Sequence, residues 1–237
     1  MTRSSMTTRY FDGEGRDFME PCLRHTFKWC DKHGVGKVVI FTGTGEGPMF
    51  AARNLLPDYE SITAVAVTPP AGRLYVRDPT KAERELVRSG VPPRIQQFLQ
   101  AFGVPVISAN LPFKRMEGDQ ASPWPQVERA YGVLGGGFSL CVQAVLVACD
   151  AGRVAVGERV AAATADTAIV AIASRTETFL SPTEGLLVEH ILCRPSRYTI
   201  SKMEHESIAH RAAIEGSVVA GSTSRGQLPG SDDDDNE

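Results

Sequence analysis

A chain of 237 residues with 42% hydrophobic and 22% charged side chains has the make-up of one ordinary globular domain, large enough to bury a substantial core. Its formal charge of -3 and pI near 6.0 supply no general attraction to nucleic acid or to an anionic membrane, and neither is expected as a partner. No run approaches the roughly 18 apolar residues that span a bilayer, and Met1 to Gly15 lack the apolar centre of an export signal, so a cytoplasmic location is the expectation. Cys22, Cys30, Cys141, Cys149 and Cys193 are odd in number, and three sit in strongly apolar contexts, as buried thiols of a reducing compartment do.

The N-terminal residues show no periodicity until Tyr10 and Phe11, which can begin a short strand. Asp17 and Glu20 have capping-box spacing ahead of a helix over Phe18 to Lys32, closed by Gly34, with Pro21 in its first turn. This helix carries Cys22, His25, Cys30 and His33, which look like a zinc set. One straight helix cannot wrap a tetrahedral ion with all four, so they read as an ordinary half-buried face, with His33 a cation at the helix C-terminus.

Val38 to Phe41 is an unbroken apolar run, the mark of a strand buried on both faces. Gly43, Gly45 and Gly47 follow, and Pro48 suits the first position of a helix that must stop before Pro57. The free N–H groups of that helix would point into the glycine loop, where the helix dipole favours an anion; this is the candidate phosphate site. Gly45→Val should then damage ligand binding more than folding.

Ser61 to Thr68 is the next strand, joined by a crossover that makes it parallel to the first. Pro69 to Pro79 forms a loop with Arg73 and Arg77 beyond that strand's C-terminal end. Thr80 and Glu83 then cap a helix reaching Ser89, "VPPRIQQFLQAFG" gives a second helix, and "VPVISAN" a third strand. Asn110 to Ser122, with Lys114 and Arg115, lacks periodicity and reads as a lid.

Ser122 and Pro123 open a helix to Leu134, and Gly135 to Gly137 break it. The helix "FSLCVQAVLVACDAG" is apolar on nearly every side, so it packs between neighbours, with Gln143 a satisfied core amide. Glu158 to Ala163 reads as a short helix or turn. Thr167 to Ala173 is the fourth strand, and Leu186 to Cys193 the fifth, ended by Pro195. Lys202 to Ala213 can form an exposed helix, whereas Ser222 to Glu237 is too charged and glycine-rich to pack. The chain thus divides into one domain over residues 1–200 and a polar tail over residues 201–237.

This element order, with "VVIFTGTGEGPMFAAR" in the first unit, resembles the C-terminal α/β domain of pyruvate kinase. There the equivalent loop runs into a helix and, in the regulated enzymes, holds the phosphate of a sugar effector; Thr42, Gly43, Thr44, Gly45, Glu46 and Gly47 match it by position. Stand-alone prokaryotic proteins related to that domain, of unknown function, resemble the chain more closely. "YFDGEG", the glycine loop, "CVQAVLVACDAG", "ADTAIVA" and "EHILCRP" carry the likeness across residues 10 to 198.

The resemblance implies a three-layer α/β/α fold whose sheet has five mostly parallel strands in the order 3-2-1-4-5, the last antiparallel. A crevice would then open between the loops after Phe41 and after Ala173. Flavin mononucleotide is the ligand associated with the stand-alone group, expected at Thr42, Gly43, Thr44, Gly45 and Gly47 of the matching loop. Thr68 and Arg175 are further candidate binding residues, and so is Arg73, because its loop lies beyond a strand's C-terminal end, where ligands of open α/β sheets sit. Glu46 departs from an anion site unless an arginine pairs with it, and "AAATADT" replaces a glycine-rich lead-in. NAD and ATP are not expected, because Pro48 breaks the dinucleotide fingerprint and no lysine follows the glycines.

No nucleophile, base or metal cluster stands out. The reading is a protein that binds a small phosphate-bearing molecule, the alternatives being a flavin-dependent oxidoreductase and an oligomeric, partner-binding module using the apolar helix as a homo-oligomer interface. Pyruvate kinase activity is not expected, since the likeness covers only the regulatory domain.

Overall fold

The computed structural model describes residues 7–76, 86–113 and 123–198 of the chain. The apolar runs become strands β1 (Arg9–Phe11), β2 (Lys37–Phe41), β3 (Thr63–Thr68), β4 (Leu74–Val76), β5 (Leu86–Arg88), β6 (Val106–Ser108), β7 (Arg159–Ala163), β8 (Ala168–Ile172) and β9 (Leu187–Pro195). Between them lie helices α1 (Met19–His33), α2 (Glu46–Asn54), α3 (Pro93–Ala101), α4 (Trp124–Gly132) and α5 (Gly136–Asp150). Seven strands form one sheet in the order β1-β9-β8-β7-β2-β3-β6, while β4 and β5 pair as a separate antiparallel hairpin.

Strand alternation distributes the side chains between two cores. Val38, Ile40, Ala64, Ala66, Ala161 and Ala163 point to the face covered by α1, α2 and α3. Val39, Val65, Val67, Val160, Ala162 and Ile169 point to the other, covered by α4 and α5. Helices on both faces of the sheet are the reason β2, β3 and β7 can be apolar without interruption.

The architecture is α/β as expected, but the sheet is larger and more mixed than five strands. The five anticipated strands keep their relative order, with β7 inserted beside β2 and β1 added at the edge, where Arg9 aligns with Cys193 and Phe11 with Pro195. The segment expected as a short helix or turn is β7. Its Ala161 to Ala163 favour helix locally, yet all are fully buried between α1 and α5, and small side chains in a central strand let both helices approach. The strand that runs against the rest is β8, antiparallel to both β7 and β9, rather than the last strand. Pro195 is the last residue of β9: the ladder with β8 reaches only Cys193, so Pro195 pairs with β1 alone, and Ser196 N and Oγ both donate to the Phe11 carbonyl.

Smaller differences have local causes. Leu86 to Arg88 is a strand rather than a helix end, because it pairs with Leu74 to Val76. The Asp17–Glu20 capping box does not form; residues 16–18 make a 3-10 turn and Phe18 stands at the α1 cap without a side-chain bond. Helix α4 stops at Gly132, and Gly136 and Gly137 belong to the first turn of α5 instead of only separating the two helices. Thr80, Glu83 and Arg77, the Lys114–Arg115 segment, the helix over Lys202 to Ala213 and the tail lie outside the described residues.

Helix α5 is buried along almost its whole length against β2, β7, β8 and α4. Its apolar surface is therefore largely packed within the chain. Gln143 is fully buried and satisfied: Oε1 accepts from Phe113 N at 2.9 Å and Nε2 donates to Ser139 Oγ at 3.1 Å. Gln143→Leu should strand the Phe113 N–H and cost about 1–3 kcal/mol, read as a lower denaturation midpoint with an unchanged m-value.

All five cysteines are free and buried, and burial pushes the Cys30 thiol up to about 12. Cys22 and Cys30 face the core, whereas His25 and His33 lie on the half-buried flank of α1. His33 lies in the last turn of α1 beside Lys32, as expected. It stacks on Trp29 with centroids 4.1 Å apart, and desolvation, followed by Lys32, Arg159 and His190, lowers its pKa. His25 is lowered too, first by desolvation and then by Arg9, with Lys28 a smaller contribution against a bond to the Leu192 backbone.

A histidine pKa lowered by folding means that the unfolded chain takes up the proton more readily. Stability from these groups is complete above the unfolded value of about 6.5 and declines as pH falls through it. The melting temperature should therefore drop between about pH 7.5 and 5.5, and the double variant His25→Gln, His33→Gln should flatten that slope. An unchanged slope in the variant would assign the drop to other groups.

Candidate functional site

Connection geometry selects one edge of the sheet. From β2 the chain steps through α2 to β3 and through α3 to β6, moving outward with its helices on one face. It then returns through α4 and α5, on the other face, to β7 on the opposite flank of β2. The loops after β2 and after β7 consequently diverge, which is where open α/β sheets leave a crevice. The sequence placed this crevice between the loops after Phe41 and Ala173. By the same connection rule the divergence falls instead between residues 42–45 and the turn 164–167, because β7, not β8, neighbours β2.

The reversal of β8 also moves Arg175 to the far edge. Ile172 aligns with Arg159 at the start of β7, so the chain leaves β8 at the N-terminal end of β2. Arg175 is exposed there, in a depression it shares with Lys37, Arg153 and Glu158, and is not brought together with the other anticipated residues.

Thr42, Gly43, Thr44, Gly45 and Gly47 do converge, at the junction of β2 and α2. Thr42 is nearly buried and closes the loop: its N donates to the Val67 carbonyl at 2.9 Å, and its Oγ1 accepts from Gly45 N at 2.8 Å. Gly45, at φ +96, caps α2, which begins at Glu46 rather than at Pro48. Pro48 is thus the third helical residue and brings no N–H to the first turn.

Two of the three glycines make room for the protein itself. A Cβ on Gly45 would lie 2.9 Å from both Val91 and Ile95; one on Gly47 would meet Ile40 at 3.3 Å, with Met19 and Leu23 just behind. The Gly43 carbonyl accepts from Gly90 N at 2.8 Å, so the segment entering α3 is strapped across the loop. The N–H groups of Gly43, Thr44 and Gly47, and the Thr44 hydroxyl, have no hydrogen-bond partner among the described residues. Glu46 is turned to Arg16, Nε to Oε2 at 2.9 Å, which offsets its charge beside these donors.

Thr68 ends β3 beside the loop but is buried, and its hydroxyl donates to the Pro69 carbonyl at 3.3 Å. Arg73 lies on the same edge, exposed, with its backbone N donating to Ser89 Oγ and its carbonyl accepting from Ser89 N.

Sequence reasoning missed the opposite wall of the crevice. Thr164 to Thr167 is the turn of the β7–β8 hairpin, and Asp166 at its tip is buried. Its Oδ2 accepts from Gly15 N at 2.7 Å and its Oδ1 from Thr167 Oγ1 at 2.8 Å. A Cβ on Gly137 would fall 2.7 Å from Oδ1, so the carboxylate lies against the first turn of α5, where the helix dipole favours it. The available signal was an Asp between two threonines, flanked by small apolar runs, which is a hairpin-turn pattern.

Neither models of known protein families nor curated proteins give a match to the chain. The likeness to the pyruvate kinase domain therefore rests on its motifs alone.

Gly45 was expected to matter more to binding than to folding, but its surroundings are Val91 and Ile95. Gly45→Val combines the left-handed backbone with overpacking and should cost about 2–5 kcal/mol, visible in thermal unfolding of the ligand-free protein. Wild-type stability in that variant would show that the α3 segment yields without loss.

Proposed function

We propose that the chain binds a small phosphate-bearing molecule at the sheet edge between the loop 42–47 and the turn 164–167. The observation that carries this reading is the set of unpartnered donors: the N–H groups of Gly43, Thr44 and Gly47 with the Thr44 hydroxyl, gathered at the N-terminus of α2. Backbone N–H groups seldom go unbonded when half-buried, and a cluster of them at a helix start suits phosphate oxygens. The N-terminus of α5 across the crevice is the poorer anion position, because Asp166 already lies against it. Flavin mononucleotide, the ligand implied by the resemblance, is one member of the class; Arg73, on the same edge, is within the set of residues proposed to face it.

Binding by phosphate has a clear signature. Flavin mononucleotide should raise the melting temperature of the purified protein, riboflavin should do so less, and inorganic phosphate should compete. Loss of one charge-assisted hydrogen bond alone weakens binding by about 1.5–3 kcal/mol. Arg16→Ala should weaken phosphate binding several-fold by exposing the loop to the Glu46 carboxylate, and Arg16→Ala with Glu46→Gln should restore it. Indifference to all three compounds sinks the flavin assignment, and indifference to phosphate sinks the site. Turnover of an acceptor by reduced bound flavin would make the protein an oxidoreductase rather than a binding protein.

A further inference from the structure

Near the start of α1, Cys22 places its sulfur 3.2 Å from that of Cys193 in β9, and both side chains are fully buried. We propose that Cys22 and Cys193 are a disulfide-forming pair that, when oxidised, staples α1 to β9. The inference is independent of the phosphate reading.

The step balances with a hydroperoxide as oxidant. One thiolate attacks the peroxide oxygen, forming a sulfenic acid and releasing an alcohol or water. The second thiol displaces water from that sulfur, so two electrons pass from the thiols to the peroxide. The sulfurs already touch, so the second step needs only a small closing movement. The first step is slow in the closed fold, since burial holds the Cys22 thiol protonated and keeps the oxidant out. Oxidation therefore proceeds through opening of α1 from the sheet, and the bond then holds α1 closed. The residues preceding α1 carry the Gly15 to Asp166 bond and the Arg16–Glu46 pair, so the staple fixes the element that ties both walls of the crevice together.

The test uses the full chain treated with hydrogen peroxide, denatured, alkylated and mapped by mass spectrometry. The expected result is one cross-link, Cys22 to Cys193, with the loss of two hydrogens and of two of the five free thiols. The melting temperature should rise by roughly 5–10 °C and return with dithiothreitol. Cys193→Ser should abolish both changes and Cys149→Ser neither; the wild-type map stands without these variants should one fail to fold. Five intact thiols after prolonged oxidation, over-oxidation of Cys22 or Cys193 without a cross-link, or a cross-link that lowers the melting temperature would each overturn the proposal.

Discussion

The arrangement depends on the Asp166 carboxylate. It sits in a four-residue turn, closed by bonds between Thr164 and Thr167, that sends β8 back against β7. It accepts from the neighbouring Thr167 hydroxyl and brings in two parts of the chain distant in sequence, Gly15 before α1 and Gly137 at the start of α5. A buried carboxylate is costly unless hydrogen-bonded, and here the Gly15 N–H, the Thr167 hydroxyl and the positive end of a helix offset that cost. The approach requires Gly137, since any Cβ there would collide with Thr167 and Asp166. Once the turn is held in this way, β8 must run against the sheet, β9 returns parallel to β2, and β1 can close the edge.

The two walls of the crevice use the same device for different ends. At α5 the helix N-terminus is supplied with an anion by the chain itself. At α2 the loop's one acidic side chain is drawn off to Arg16, and the local capping oxygen, Thr42 Oγ1, reaches only Gly45 N. That asymmetry, rather than the glycine count, separates the two ends as places for an external anion. Gly45 and Gly47 are consumed by packing against Val91, Ile95, Ile40 and α1, so the openness of the loop is confined to Gly43 and Thr44 and to the start of α2.

Much of the fold was legible because both-face burial leaves continuous apolar runs and glycine marks where they stop. β2, β3, β6, β8 and β9 all followed from that signal, as did the apolar α5 with its satisfied Gln143. β7 was not legible. A run of alanines carries no preference for strand, and its conformation is set by pairing with β2 and β8 and by packing between α1 and α5. The direction of β8 was hidden for a related reason: a strand buried on both faces has no pattern that reveals which way it runs. The unread β7 misplaced the crevice wall, and the unread direction of β8 misplaced Arg175. The glycine loop shows the same limit at the scale of one residue, since a glycine needed for a ligand and one needed for Val91 look identical in sequence.

Helix α1 connects these local facts into one mechanical unit. The residues leading into it bond Asp166 on one wall through Gly15 and pair with Glu46 on the other through Arg16. Met19 and Leu23 then pack behind Gly47, and Cys22 faces β9 beyond the hairpin turn. The separation of the two walls is thus set by a helix that contacts both, not by the sheet alone. A shift of α1 would move the Arg16 guanidinium from Glu46 and leave a carboxylate beside the donors of Gly43, Thr44 and Gly47. The electrostatics of the loop are in this sense a property of how firmly α1 is seated, and its seat is the α1–β9 seam that holds Cys22, His25 and Cys193.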